Sequence, residues 1–140
     1  MTETITLTSA LEDYLETILE LGEKEPEIRV TDIAEKLNIA KSTVTITINK
    51  LKKLGLVLQE SYGPIVLTSI GKEYAAGVRK RHHILKKFLV EVLGVDYQTA
   101  EKDACLMEHV LSPVTMKKIA EYLEWNYKKE NVSQTDEDYI

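Results

Sequence analysis

At 140 residues the chain can bury one good core or two small ones, and its 44% hydrophobic and 29% charged residues, with six Gly and three Pro, are those of a soluble globular protein. A single Cys excludes an internal disulfide and fits a reducing cytoplasm; the opening Met-Thr-Glu-Thr-Ile-Thr-Leu lacks the basic start of a signal peptide, and no apolar run approaches the ~18 residues a membrane span needs. The net charge of -5, taken alone, counts against a nucleic-acid partner.

The first helix is expected from Thr8 or Ser9, with Leu11, Tyr14, Leu15, Ile18, Leu19 and Leu21 at helical spacing and Gly22 to Glu27, around Pro26, as its end. A short second helix follows, capped by Thr31, with Ile33, Ala34 and Leu37 facing inward. Asn38 to Ala40 is a turn. Lys41-Ser42-Thr43 opens a third helix whose inward positions are Val44, Ile48, Leu51 and Leu54, with Gly55 as its C-cap. Residues 57–60 and 65–68 are β-prone runs around the turn Ser61-Tyr62-Gly63-Pro64. Three helices and a hairpin in this order make a winged helix-turn-helix.

A long helix capped by Thr68 or Ser69 should run to about Leu93, with Gly94 as its stop. Another covers Tyr97 to Leu111, and a last one starts at Pro113 and reaches about Lys128, leaving a polar tail. The expected fold class is mainly α: a winged helix-turn-helix over residues 1–71, then an all-helical domain over 72–140. Dimer contacts are expected from the last two helices, including Met107, Ile119, Leu123 and Trp125.

The distribution of charge matters more than its sum. Residues 1–28 hold eight acidic side chains and one Lys. Residues 29–53 hold six basic ones against Asp32 and Glu35, and residues 71–87 hold six against Glu73. Basic charge therefore gathers around the reading head, where it suits phosphate. The side chains expected on DNA are Thr31, Lys41, Ser42, Thr43, Thr45, Thr47 and Lys50, with Tyr62 at the wing tip. The bland alternative is an ordinary polar surface. So β-branched a helix is otherwise poorly chosen for stability, which favours contact.

Metal-ligand side chains recur on three helices. Asp13 and Glu16 lie three apart on the first, a pair that by itself usually means a solvated face. His82 completes the apolar stripe of Ala75, Val78, Leu85, Leu89 and Val92, whereas His83 falls on the surface. A lone His there is more often a hydrogen-bonded core residue than a ligand. Cys105, Glu108 and His109, at i, i+3 and i+4, bring thiolate, carboxylate and imidazole within one turn. Alone, Cys105 reads as a small buried hydrophobe; with its neighbours it favours an ion.

These motifs together resemble the diphtheria-toxin-repressor family of metal-dependent transcriptional repressors, and within it the short manganese-transport-regulator branch. The matching residues are Leu11-Glu12-Asp13-Tyr14-Leu15-Glu16, Val30-Thr31-Asp32-Ile33-Ala34, Ser42-Thr43-Val44-Thr45, Val66-Leu67-Thr68, Arg81-His82 and Glu108-His109-Val110-Leu111-Ser112. The resemblance covers about residues 8–128. It implies a cytoplasmic homodimer, without an organic cofactor, that binds a double-stranded operator when loaded with Mn2+ or Fe2+, Co2+ or Zn2+ being possible substitutes in vitro. It also implies metal ligation by Asp13, Glu16, His82, Glu108 and His109. Cys105 departs from the manganese branch, which carries a bridging Glu there, and matches the iron-responsive branch. Sulfur shifts preference towards iron, cobalt or zinc relative to manganese.

Two other readings compete. A winged-helix regulator answering a small organic ligand would use the His and Cys only for packing, and would give no saturable heat with metals. A metallohydrolase would use the same ligands around an activated water, but it needs an open cleft and leaves the helix-turn-helix unexplained.

Overall fold

A computed structural model describes residues 7–61 and 63–137, with side chains as far as residue 125. The chain forms two compact units that divide between Arg79 and Lys80.

The first unit contains α1 (Ser9–Lys24), α2 (Val30–Leu37), α3 (Lys41–Lys53), β1 (Val57–Gln59), β2 (Ile65–Leu67) and the start of α4 (Ser69–Lys87). Thr8 caps α1 by accepting from Leu11 N–H at 3.2 Å. The helical spacing of Leu15 and Ile18 puts both against Ile33 of α2 and Val44, Ile48 and Leu51 of α3, all at most 1% exposed. Each such side chain is stabilised by roughly 1.5–3 kcal/mol relative to its exposed state. This apolar cluster, rather than helix propensity, fixes the β-branched α3.

Two local expectations need correction. Arg29, not Thr31, is the N-cap of α2, and its N–H donates to Asp32 Oδ2 at 2.8 Å; the acidic side chain three residues on satisfies the helix start. α3 opens at Lys41 as expected, with Ala40 as its N-cap and no side-chain capping bond. Leu54, expected inward, is 40% exposed because the helix ends at Lys53 and Gly55, at φ 76°, turns the chain away. Asn38 takes φ 55° at the end of α2, a left-handed conformation that Asn tolerates, and so makes the sharp helix-turn-helix corner.

The wing is an antiparallel pair with Val57 opposite Leu67, Leu58 opposite Val66 and Gln59 opposite Ile65. Val57, Ile65 and Leu67 face the core, while Leu58 and Val66 are exposed, the alternation a one-sided sheet requires. Ile65 N–H also donates to Ile28 O at 2.7 Å. Thr68 ties wing to helix: its hydroxyl donates to Gly55 O at 2.7 Å and accepts from Gly71 N–H at 3.0 Å, while its own N–H donates to Leu56 O at 3.0 Å.

The second unit holds the end of α4, a π-helical turn at Phe88–Val92, α5 (Tyr97–Met107) and α6 (Pro113–Glu137). Gly94, at φ 71°, ends the long helix as expected. Ala100 and Ala104, both fully buried, let α5 pack closely with Leu85, Leu89 and Met116. Asp96 caps α5 by accepting from Thr99 N–H at 3.0 Å, a bond that holds its carboxyl below the usual range. Ser112 caps α6, accepting from Thr115 N–H at 3.2 Å, with Pro113 in the first helical position.

Two helix ends differ from expectation. α5 stops at Met107 rather than Leu111, so Glu108 is its C-cap and His109 lies in the following turn, where Val110 and Leu111 N–H both donate to Met107 O. α6 continues past Lys128 to Glu137. The residues expected at a dimer contact divide between core and surface. Met107 and Ile119 pack into this unit's own core and Leu123 is 8% exposed, whereas Trp125 is exposed together with Leu106, Val110 and Val114.

Candidate metal centre and nucleic-acid interface

The second unit brings His82, Cys105, Glu108 and His109 together with one residue that spacing did not single out, Glu101. His82 is buried in the α4 stripe as expected, while Ala100 and Ala104 draw α5 close enough for its polar side chains to reach the imidazole. Nδ1 of His82 lies 2.9 Å from Glu108 Oε2 and 3.7 Å from Cys105 Sγ. Nε2, on the other edge of the ring, lies 3.0 Å from Glu101 Oε1. The other oxygen of Glu108 lies 3.3 Å from His109 Nε2. The Glu108 side chain is only 2% exposed, and the His82 and His109 side chains 8% each. Cys105 is exposed, against its reading as a small buried hydrophobe. His83 is exposed, as expected.

A buried carboxylate is expensive unless its charge is matched. Two imidazoles flank Glu108, and a thiol lies 3.7 Å from Nδ1 of one of them, His82; all three bind transition ions when deprotonated on the facing atom. The donor set therefore fits a divalent cation. It mixes nitrogen, oxygen and sulfur, which suits iron, cobalt or zinc better than an all-oxygen site would. Arg81 holds the frame by donating from Nε to Glu108 O at 3.0 Å, satisfying a carbonyl that the helix end leaves over.

Glu101 has a different environment. Its Oε2 makes no well-aligned hydrogen bond and is held by charge, 3.2 Å from Lys86 Nζ. Lys86 also donates to Tyr97 Oη at 3.1 Å and sits 4.8 Å from the ring centre. Burial would raise the Glu101 carboxyl, but its contacts with His82 and Lys86 outweigh that and hold it below the usual range. Glu101 precedes Cys105 by four residues and Lys86 follows His82 by four, so each shares a helix face with a candidate ligand, a spacing too common to single either out.

Asp13 and Glu16 both lie on α1 in the first unit, Asp13 exposed and Glu16 half-buried. On the same unit, Lys41, Ser42, Thr43, Thr45 and Lys50 are exposed along α3, with Thr47 half-buried. Thr45 and Thr47 hydroxyls donate to the carbonyls of Lys41 and Thr43 at 3.0 and 3.1 Å, so their outward capacity is as acceptors. Ile46, 60% exposed on the same helix, was not foreseen as a contact residue because an apolar side chain is expected to face inward. Thr31 is exposed and lines a cavity of about 490 Å³ with Arg29, Lys41, Thr45, Lys52 and Ser61. Its cations and hydroxyls suit a phosphate strand. Tyr62 lies outside the described residues.

No helix among the described residues is long and apolar enough to cross a membrane. Residues 6–65 match the iron dependent repressor N-terminal DNA binding domain, and residues 68–130 match the iron dependent repressor metal binding and dimerisation domain. An uncharacterised HTH-type transcriptional regulator of Methanocaldococcus jannaschii is 40% identical over 119 residues, covering 84% of this chain and 95% of that protein. The HTH-type transcriptional regulator MntR of Bacillus subtilis is 36% identical over 118 residues, 84% of this chain and 82% of that protein. The solved manganese regulator SloR has a TM-score of 0.72 at 28% identity over 86% of this chain. The chain spans only about half of that solved relative, 55% of its length. The two domain matches follow one another from residue 6 to residue 130, and the chain belongs to the iron-dependent repressor family of metal-dependent transcriptional repressors.

Proposed function

We propose that this chain is a cytoplasmic homodimeric repressor of metal-homeostasis genes whose operator affinity rises when it binds Fe2+ or Mn2+, with a regulatory rather than a catalytic role and no organic cofactor. The observation that carries this reading is the Glu108 carboxylate, buried between His82 and His109 with the Cys105 thiol beside His82. Asp13 and Glu16 are proposed as further ligands from α1, on the strength of their spacing and the family motif. A bound divalent cation would supply the charge that lets Asp13, Glu16 and Glu108 share one site. Without it, the like charge of these carboxylates would oppose their sharing a site. The paired recognition helices of a loaded dimer would then sit at the roughly 34 Å repeat of successive major-groove faces.

Calorimetry with Mn2+, Fe2+ and Zn2+ on the purified chain should give saturable heat, and operator affinity should rise with the same metals. Saturable heat without any change in operator affinity would refute the coupling, and no heat would return the small-organic-ligand reading. Cys105→Glu should raise affinity for Mn2+ relative to Co2+ and abolish the near-ultraviolet thiolate-to-cobalt absorption; an unchanged ratio would remove Cys105 from the ligand set.

On DNA, Lys41, Lys50 and the hydroxyls of Thr31 and Ser42 are proposed to meet phosphates, with Thr43, Thr45 and Thr47 nearer the bases and Tyr62 at the wing. Ile46 is suited to a thymine methyl. Lys41→Ala should weaken all sequences alike and reduce the slope of log affinity against log salt by about 1. A changed base preference with the same slope would mean a base contact instead.

A further inference from the structure

The two nitrogens of His82 face two different carboxylates, and only one of them can be the ligand. On the Nδ1 side are Glu108, buried, and the Cys105 sulfur. On the Nε2 side is Glu101, whose second oxygen is engaged by the Lys86 ammonium. His82, Glu101 and Cys105 offer donor atoms all within 4.8 Å of one another, so their spacing alone would allow an ion at Glu101. The charge there argues otherwise. Lys86 is anchored by Tyr97 through its hydroxyl and ring face, and its ammonium already stands as the cation beside Glu101. A divalent ion on that side would meet a fixed like charge.

Resting on the metal reading above, we infer that Glu101 is a positioning residue: braced by Lys86, it accepts the Nε2–H of His82 and so leaves Nδ1 as the nitrogen that faces the ion. The tautomer of a ligating imidazole is set by the hydrogen bond its other nitrogen makes. The same contact fixes the ring plane, so that with an ion present the Nδ1 lone pair is aimed at it, beside Glu108 and Cys105, without rotamer search. Glu101 and Lys86 thereby act on metal affinity without touching the ion.

The test uses the full chain, wild type and as Glu101→Ala and Glu101→Gln, with Zn2+ and Cd2+ as probes. Zn2+ affinity by calorimetry should fall about 10–100-fold in Glu101→Ala, the range for losing the outer partner of a ligating His. Glu101→Gln keeps an acceptor oxygen and should recover most of that loss. In the cadmium-loaded protein, nitrogen–cadmium coupling should identify Nδ1 of His82 as the bonded atom in wild type and become mixed in Glu101→Ala. In the metal-free protein the Nε2–H of His82 should exchange slowly with solvent in wild type and rapidly in Glu101→Ala. Unchanged Zn2+ affinity in Glu101→Ala, with Nδ1 still the sole bonded nitrogen, would overturn the inference while leaving the metal centre standing. Bonding through Nε2 in wild type would also overturn it. Absence of metal binding by wild type would instead sink the metal reading, and the metal-free exchange rates would still report whether Glu101 orients the ring.

Discussion

Glu108→Gln is expected to remove the metal response of operator binding. The substitution keeps the size of the side chain and an oxygen that can accept, but it deletes the charge that a divalent cation requires. The carboxylate reaches His82 Nδ1 at 2.9 Å and His109 Nε2 at 3.3 Å, so one change disturbs the centre of the donor cluster. Coupling between an effector and a second ligand typically amounts to about 1–3 kcal/mol, or 5–150-fold in affinity. That factor should be lost per site, while metal-free, low-salt DNA binding through α3 stays as in wild type. Operator titrations at fixed salt, with and without Fe2+ or Mn2+, separate the outcomes. A Glu108→Gln protein that still responded to metal as wild type does would disprove the proposed centre.

The parts of the molecule that the sequence displayed are those governed by period and by caps acting within a few residues. The stripe through Val78, His82, Leu85 and Leu89 could be read because every member repeats at helical spacing, and burial followed. Thr8 and Pro113 marked helix starts for equally local reasons. What stayed hidden depended on side chains far apart in the chain. Nothing local distinguishes Glu101 from the other acids of a polar helix; its meaning comes from His82 and Lys86, 19 and 15 residues earlier. The early end of α5 is of the same kind, since Arg81 supplies the donor to Glu108 O from another helix. The apolar residues of α5 and α6 could be assigned to a face only in part: Met107 and Ile119 turned to the core, and Leu106 and Val110 to the outside. One heptad of mixed residues admits either phase, and packing decides.

Gly71→Ala should be the most destabilising single-atom change in the first unit, and Gly77→Ala its opposite, although both glycines lie on α4. A Cβ at Gly71 would stand 2.0 Å from Leu56 O and 3.0 Å from Leu56 C, inside any permitted contact. The atom in the way is a backbone carbonyl, so no side-chain rotation relieves it. That carbonyl also accepts from Thr68 N–H, and Thr68 in turn caps α4 and holds Gly55 O. Relief therefore means parting the start of α4 from the strand-entry residue Leu56, with loss of the bonds that register the wing. Overpacking of this kind costs about 1–3 kcal/mol and occasionally more, and a buried carbonyl left without its donor adds roughly another 1–3 kcal/mol. A fall in melting temperature of about 10 °C or more is expected for a unit of this size. At Gly77 an added Cβ meets nothing within 4 Å, so Gly77→Ala should stabilise by about 0.5–1 kcal/mol through helix propensity alone. Thermal melts of the two variants beside wild type give opposite signs if the close approach of Gly71 to Leu56 holds. Equal melting temperatures would mean that the wing and α4 are not locked together at this point.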